Sequence, residues 1–129
     1  MTTHTFYRAV MDVRKGGSLA SAKHATAAVF HTLRDRLTPD EADQVMAQLP
    51  RDLKTMWEEG EEAGRRPLKM HLEEFLERVR REAGLTSVQE ARWTTLAVFA
   101  ALKKQLSPGE TGDVFSQLPK DLKELWAEA

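Results

Sequence analysis

Hydrophobic residues recur at helical spacing along almost the whole chain. Phe6, Tyr7, Val10 and Val13 fall at i, i+3, i+4 and i+7 intervals or beside them, and Leu72, Phe75, Leu76 and Val79 do the same. That spacing lines one face of a helix and predicts an amphipathic first element in each stretch. Gly16-Gly17 and Gly84-Leu85 follow as stops, because glycine tolerates the left-handed turn that ends a helix. A second, longer helix is predicted to start at each of the caps Ser18 and Ser87, with Ser87 and Glu90 set as a capping box. Its apolar stripe reads Leu19, Ala22, Thr26, Val29, Phe30, Leu33 and Leu37, then Val88, Ala91, Thr95, Val98, Phe99, Leu102 and Leu106. Alanines flank the stripe (Ala25, Ala27, Ala28; Ala97, Ala100, Ala101) and allow close approach by neighbours, so this helix is expected at the centre.

Thr38-Pro39-Asp40-Glu41 and Ser107-Pro108-Gly109-Glu110 open a third helix. Each supplies a hydroxyl cap, a proline at the first helical position and a glutamate at the third, where hydroxyl and carboxylate together should satisfy orphan amides. The buried positions expected of it are Val45, Met46 and Leu49, or Val114, Phe115 and Leu118. Pro50 and Pro119 push the preceding residue out of helical space and break the chain. A short fourth helix then carries Leu53, Met56 and Trp57, or Leu122, Leu125 and Trp126.

The two lists are one list written twice. Trp57 and Trp126 are 69 residues apart, as are Leu37 and Leu106, and no gap is needed between them. About a third of the paired positions are identical. Self-similarity at a fixed offset marks a repeat architecture. With no alternating run and no hairpin turn, the expected fold is all-α: two tandem four-helix repeats packed with approximate two-fold pseudo-symmetry. Repeat one spans 1–60, a charged linker with two glycines and a proline spans 61–69 and the residues just before it, and repeat two spans 70–129. So short a connection implies that the repeats share a core in one compact unit.

Composition narrows the functional classes. The chain of 129 residues contains no cysteine, which removes disulfides and thiol chemistry and fits a reducing compartment. It carries 19 basic and 20 acidic residues, balanced along its length, so a dedicated nucleic-acid binder is disfavoured. No apolar run reaches membrane-spanning length, and Met1-Thr2-Thr3-His4-Thr5 has no secretory character, so a cytoplasmic protein is expected.

The stretch from Ala28 to Leu37, then Glu41, Ala47-Gln48-Leu49-Pro50 and Trp57, resembles the bacterial family known as domain of unknown function 2267, and Gln117-Leu118-Pro119 to Trp126 matches it as well. The resemblance implies a small all-α bacterial protein of paired repeats with no established reaction, cofactor or catalytic residue. It also implies a longer aromatic-rich ending after each Leu-Pro helix than this chain carries.

Candidate chemistry is sparse. His24 and His31 lie seven apart, not at the spacing that helical metal sites use, and the second copy has Trp93 and Ala100 there. The carboxylate pairs Glu58-Glu59, Glu61-Glu62 and Glu73-Glu74 sit on a linker or a helix exterior and read as solvated charge. No nucleophile elbow or phosphate loop occurs, so the protein is expected to be non-enzymatic, with no catalytic, cofactor or metal residues.

The expected role is a protein-interaction or assembly module, through hetero- or self-association. Its candidate partner-binding edge is the fourth helices, Trp57, Trp126, Leu53, Met56, Leu122 and Leu125, provided the indoles are partly exposed. Closing a small core is the other use of those tryptophans. One alternative role is a small-ligand protein with a cavity between the repeats lined by Phe30, Phe99 and Trp93, Trp93 filling the seam. The other is a nucleic-acid-associated protein using Arg78, Arg80 and Arg81.

Overall fold

The computed structural model describes residues 1–129 as eight helices and no strand. They are α1 (Thr3–Arg14), α2 (Leu19–Arg36), α3 (Pro39–Ala47), α4 (Arg51–Glu58), α5 (Leu72–Ala83), α6 (Val88–Gln105), α7 (Pro108–Gln117) and α8 (Lys120–Glu128). The caps behave as their chemistry dictates. Ser18 Oγ accepts from the Ser21 N–H at 3.0 Å, and Ser87 Oγ accepts from the Glu90 N–H at 3.1 Å. Glu90 reaches back one residue further than a capping box requires, taking the N–H and hydroxyl of Thr86. Helix α1 ends one residue before the glycine pair: Lys15 itself takes the left-handed conformation at φ 58°. Gly84 takes it after α5.

The long helices α2 and α6 lie side by side at the centre, as their alanine-rich flanks require. Around them the chain interleaves. Helix α1 packs chiefly on α6 and less on its own neighbour α2, while α5 packs on α2 and α6 alike. Helix α4 covers α2, α8 covers α6, and α3 meets α7. One continuous core of 30 residues results. Two aromatic stacks run through it, Phe6–Phe30–Trp57 with centroids 5.6 and 5.2 Å apart and Phe75–Phe99–Trp126 at 5.9 and 4.9 Å, all edge-to-face.

Several expected core positions lie outside it. Leu19 and Val88 are the first residues of their helices, ahead of the turns that pack, and both are exposed, as is Val13 near the end of α1. Phe115 is exposed and Met46 half-buried, because α3 buries only a narrow stripe through Glu41, Ala42 and Val45, and α7 one through Glu110 and Val114.

Residues 59–71 connect α4 to α5 without a helix, and they are tied down at several points. Arg65 Nη1 donates to the Leu37 carbonyl at 2.8 Å, the Leu68 N–H donates to the Asp35 carbonyl at 2.8 Å, and Met70 is buried. The C-terminal carbonyls of the fourth helices are closed by cations from the central ones. Arg34 Nη1 donates to the carbonyls of Trp57 and Glu59, and Lys103 Nζ donates to that of Trp126 at 2.9 Å.

Candidate functional site

The residues considered for a partner-binding edge lie in the core or at its border. Trp57 and Trp126 are each 1% exposed, Leu53, Leu122 and Leu125 are buried, and Met56 is half-buried. Of the two uses open to those indoles, closing the core is the one the structure shows. Each ring closes an aromatic stack, and the helix that carries it packs on α2 or α6. Trp93 is placed the other way round. Instead of filling the seam between the two halves it is 57% exposed.

Phe30 and Phe99 are fully buried within their stacks, well away in environment from exposed Trp93, so the three do not line a common cavity. Trp93 borders a different feature, an open surface depression of about 500 Å³ lined by Val13, Arg14, Lys15, Leu85, Glu90 and Thr94 besides Trp93. The end of α1 and the start of α6 form its walls. Its apolar surface comes from Val13, Leu85 and the indole, and its cations from Arg14 and Lys15. Arg14 Nη1 is cut off from water and has no hydrogen-bond partner.

The arginines considered for nucleic acid are mostly engaged. Arg78 bridges Asp35 and Glu82, both at 2.7 Å, and Arg80 grips both oxygens of Glu77 at 2.6 and 2.9 Å. Arg81 is exposed. Among the histidines, His31 Nε2 donates to the Met56 carbonyl at 2.6 Å, and His24 is exposed.

The most unusual electrostatic feature lies where α3 meets α7. Thr38 and Ser107 cap these helices, their hydroxyls accepting from the N–H of Glu41 and Glu110 at 3.2 Å each. The reciprocal half of each capping box is missing. The Thr38 N–H donates to Gln117 Oε1 at 2.9 Å, and the Ser107 N–H donates to Gln48 Oε1 at 2.7 Å. The amide nitrogens of the same glutamines donate to the two capping hydroxyls. With the cap amides taken by the other helix's glutamine, Glu41 and Glu110 turn toward each other. Both are 6% exposed, and Asp113 joins them, so that one oxygen from each of the three carboxylates lies within 4.8 Å of the others. Burial, a hydrogen bond with Glu110 and the charges of Glu110 and Asp113 push the Glu41 carboxyl up to about 8.

Sequence reasoning read Glu41 and Glu110 as caps and did not see this cluster. The available signal was the 69-residue offset, which pairs Glu41 with Glu110 in the sequence. Asp113 breaks the equivalence, since Gln44 stands at the matching position.

The fold is thus that of a small, entirely helical protein, none of whose helices is long and apolar enough to cross a membrane. The sequence matches the family described as "Uncharacterized conserved protein (DUF2267)" over residues 3–125, and the chain belongs to that family. No curated protein matches it.

Proposed function

We propose that this chain is a non-enzymatic interaction or assembly module of the bacterial cytoplasm, built as two tandem four-helix repeats about an approximate two-fold axis. The reciprocal bonds of Gln48 to Ser107 and Gln117 to Thr38 support the axis, as do the two matching aromatic stacks. The observation that carries the interaction reading is Trp93. It is the largest exposed apolar side chain of the protein and borders the depression at the end of α1, whereas the other two tryptophans are buried. An exposed indole beside Val13 and Leu85, with Arg14 and Lys15 alongside, has the composition of a binding hot spot. It suits a partner segment that brings an apolar side chain next to a carboxylate, which would give Arg14 Nη1 the acceptor it lacks.

The test is photo-crosslinking in the native host, with a benzophenone side chain placed at position 93 or, as control, at exposed His24 on the first-half equivalent of that surface. A discrete adduct from position 93 and none from position 24 supports the reading, and a second copy of the chain in that adduct makes it an assembly contact. Absence of any adduct from position 93 would sink it.

A further inference from the structure

We propose that Glu41, Glu110 and Asp113 form a binding site for a hard divalent cation of the calcium or magnesium type where α3 meets α7. Three observations carry it. The first is spacing. One oxygen from each carboxylate lies within 4.8 Å of the other two. Oxygens bound to a single calcium ion at about 2.3–2.6 Å stand no farther apart than about 5 Å, so one ion can touch all three with little movement.

The second is that the two glutamates have no donor outside their own pair. Glu41 and Glu110 are each more than nine-tenths buried, and Oε2 of Glu41 and Oε1 of Glu110 are sealed from water without a hydrogen-bond partner. The amides that an N3 glutamate ordinarily reaches, those of Thr38 and Ser107, are occupied by Gln117 and Gln48. A buried carboxylate oxygen left without a donor is costly, and a cation supplies what it lacks.

The third is charge. None of the ion pairs of the protein involves Glu41, Glu110 or Asp113. A bound cation would displace the proton that Glu41 otherwise holds, and with all three carboxylates ionised the roughly half positive charge at each N-terminus of α3 and α7 leaves about two negative charges, which one divalent cation neutralises. The donor set is all oxygen, which selects calcium, magnesium or manganese over the softer metals. Asp113 is exposed and leaves the cluster open on one side, so an ion has a route in and room to keep water ligands.

The site would also lie on the contact between the two halves of the chain, since α3 brings Glu41 and α7 brings Glu110 and Asp113. Cation binding should therefore raise the stability of the whole fold by mass action.

The experiment compares thermal unfolding of the full chain in chelator with unfolding in millimolar calcium, and counts bound Mn²⁺ by electron paramagnetic resonance. The expected result is a higher Tm in calcium and one equivalent of Mn²⁺ per chain, displaced by calcium. Asp113→Asn should weaken Mn²⁺ binding about tenfold or more, because ligand charge sets the affinity of such sites. The double variant Glu41→Gln/Glu110→Gln should bind none, and Asp40→Asn, exposed on α3 outside the cluster, should bind as the parent does. If the double variant fails to fold, exposed Asp113→Asn decides alone. No bound Mn²⁺ at millimolar concentration, or equal binding by parent and Asp113→Asn, would overturn the proposal.

Discussion

The Gln117 side-chain oxygen accepts the Thr38 N–H at 2.9 Å, taking the place that the Glu41 carboxylate would hold in a closed capping box. A residue 79 positions away therefore finishes the cap of α3. Gln48 does the same for Ser107 at the start of α7, so each half caps a helix of the other. This exchange frees Glu41 and Glu110 from their local role and brings them together.

Gln117→Ala should destabilise the protein by about 1–2 kcal/mol, since it removes a hydrogen bond to a partly buried backbone amide, and Gln48→Ala, whose bond to the Ser107 N–H is exposed, should cost less. Urea denaturation measures it. Because the glutamate could then close its own box, the loss should be smaller in Glu-containing chains than in chains that also carry Glu41→Ala or Glu110→Ala. Equal losses in both backgrounds would mean that the glutamine and the glutamate do not compete for the amide.

The carboxyl pair gives a pH dependence with a definite sign. Glu41 is raised from 4.5 to about 8 by burial and by Glu110 and Asp113, so the folded state favours its protonated form. A folded value above the unfolded one gives a contribution that is complete below the unfolded pKa and lost as pH rises through the folded one. In the presence of chelator, Tm should fall by several degrees between pH values of about 5 and 9. Glu41→Gln keeps the shape without the charge and should flatten that fall, melting above the parent at the alkaline end. Parallel profiles for parent and variant would exclude the pair as its source.

Asp35 acts in the opposite sense. Burial alone would raise its pKa, but hydrogen bonds from Arg34 and Arg78 and their charges outweigh burial and hold it below the usual aspartate range. Its contribution is present above the unfolded value and is lost as pH falls through the lowered folded one. Arg78 joins α5 to α2 through this carboxylate at 2.7 Å. Arg78→Met should therefore cost stability at neutral pH and narrow the gap to the parent under acid. A gap that stays constant down to the acid transition would show that the methylene packing of Arg78, not its charge, is what matters.

The core follows from helical register. Leu33 and Leu102 are fully buried at equivalent places on α2 and α6, so Leu33→Ala and Leu102→Ala should each cost about 2–5 kcal/mol. Trp93→Ala, on the surface, should stay within about 0.5 kcal/mol of the parent. Trp93→Phe should also remove the long-wavelength component of the tryptophan emission, since Trp57 and Trp126 are shielded from water.

What was legible in the sequence was local or periodic. The caps Ser18, Thr38, Ser87 and Ser107 and the breaks at Pro50 and Pro119 depend only on neighbours a few residues away, and all fall at helix ends. The stripes on α2 and α6 follow from a period of 3.6 residues, and their middles are buried. What escaped was non-local. Nothing near Gln117 in sequence shows that it will cap Thr38, and nothing near Glu41 shows Glu110 beside it. Trp93 occupies the His24 position, and whether that position faces a seam or solvent depends on where α1 crosses α6, which no single segment encodes. Whether the indoles of Trp57 and Trp126 lie in the core or at its edge is not legible locally, because a short helix with one apolar face does not reveal how completely its neighbour covers it.

Interleaving of the helices leads to a last expectation. Helix α1 packs chiefly on α6, and α5 packs on α2 as well as on α6, so each half buries its first helix against the other half. The segment 1–60 made alone lacks the surface that α1 needs, and should give a largely unfolded circular-dichroism spectrum when dilute. Adding the segment 61–129 should restore helicity in a one-to-one complex, because α6 and α5 return the missing contacts. A concentration-dependent helical dimer of 1–60 would point the same way, with one copy standing in for the second half as the proposed two-fold axis would require. A cooperative, monomeric unfolding transition of 1–60 would instead mean that α1 can close on α2 by itself, and that the crossing onto α6 is not needed to form the first half's core.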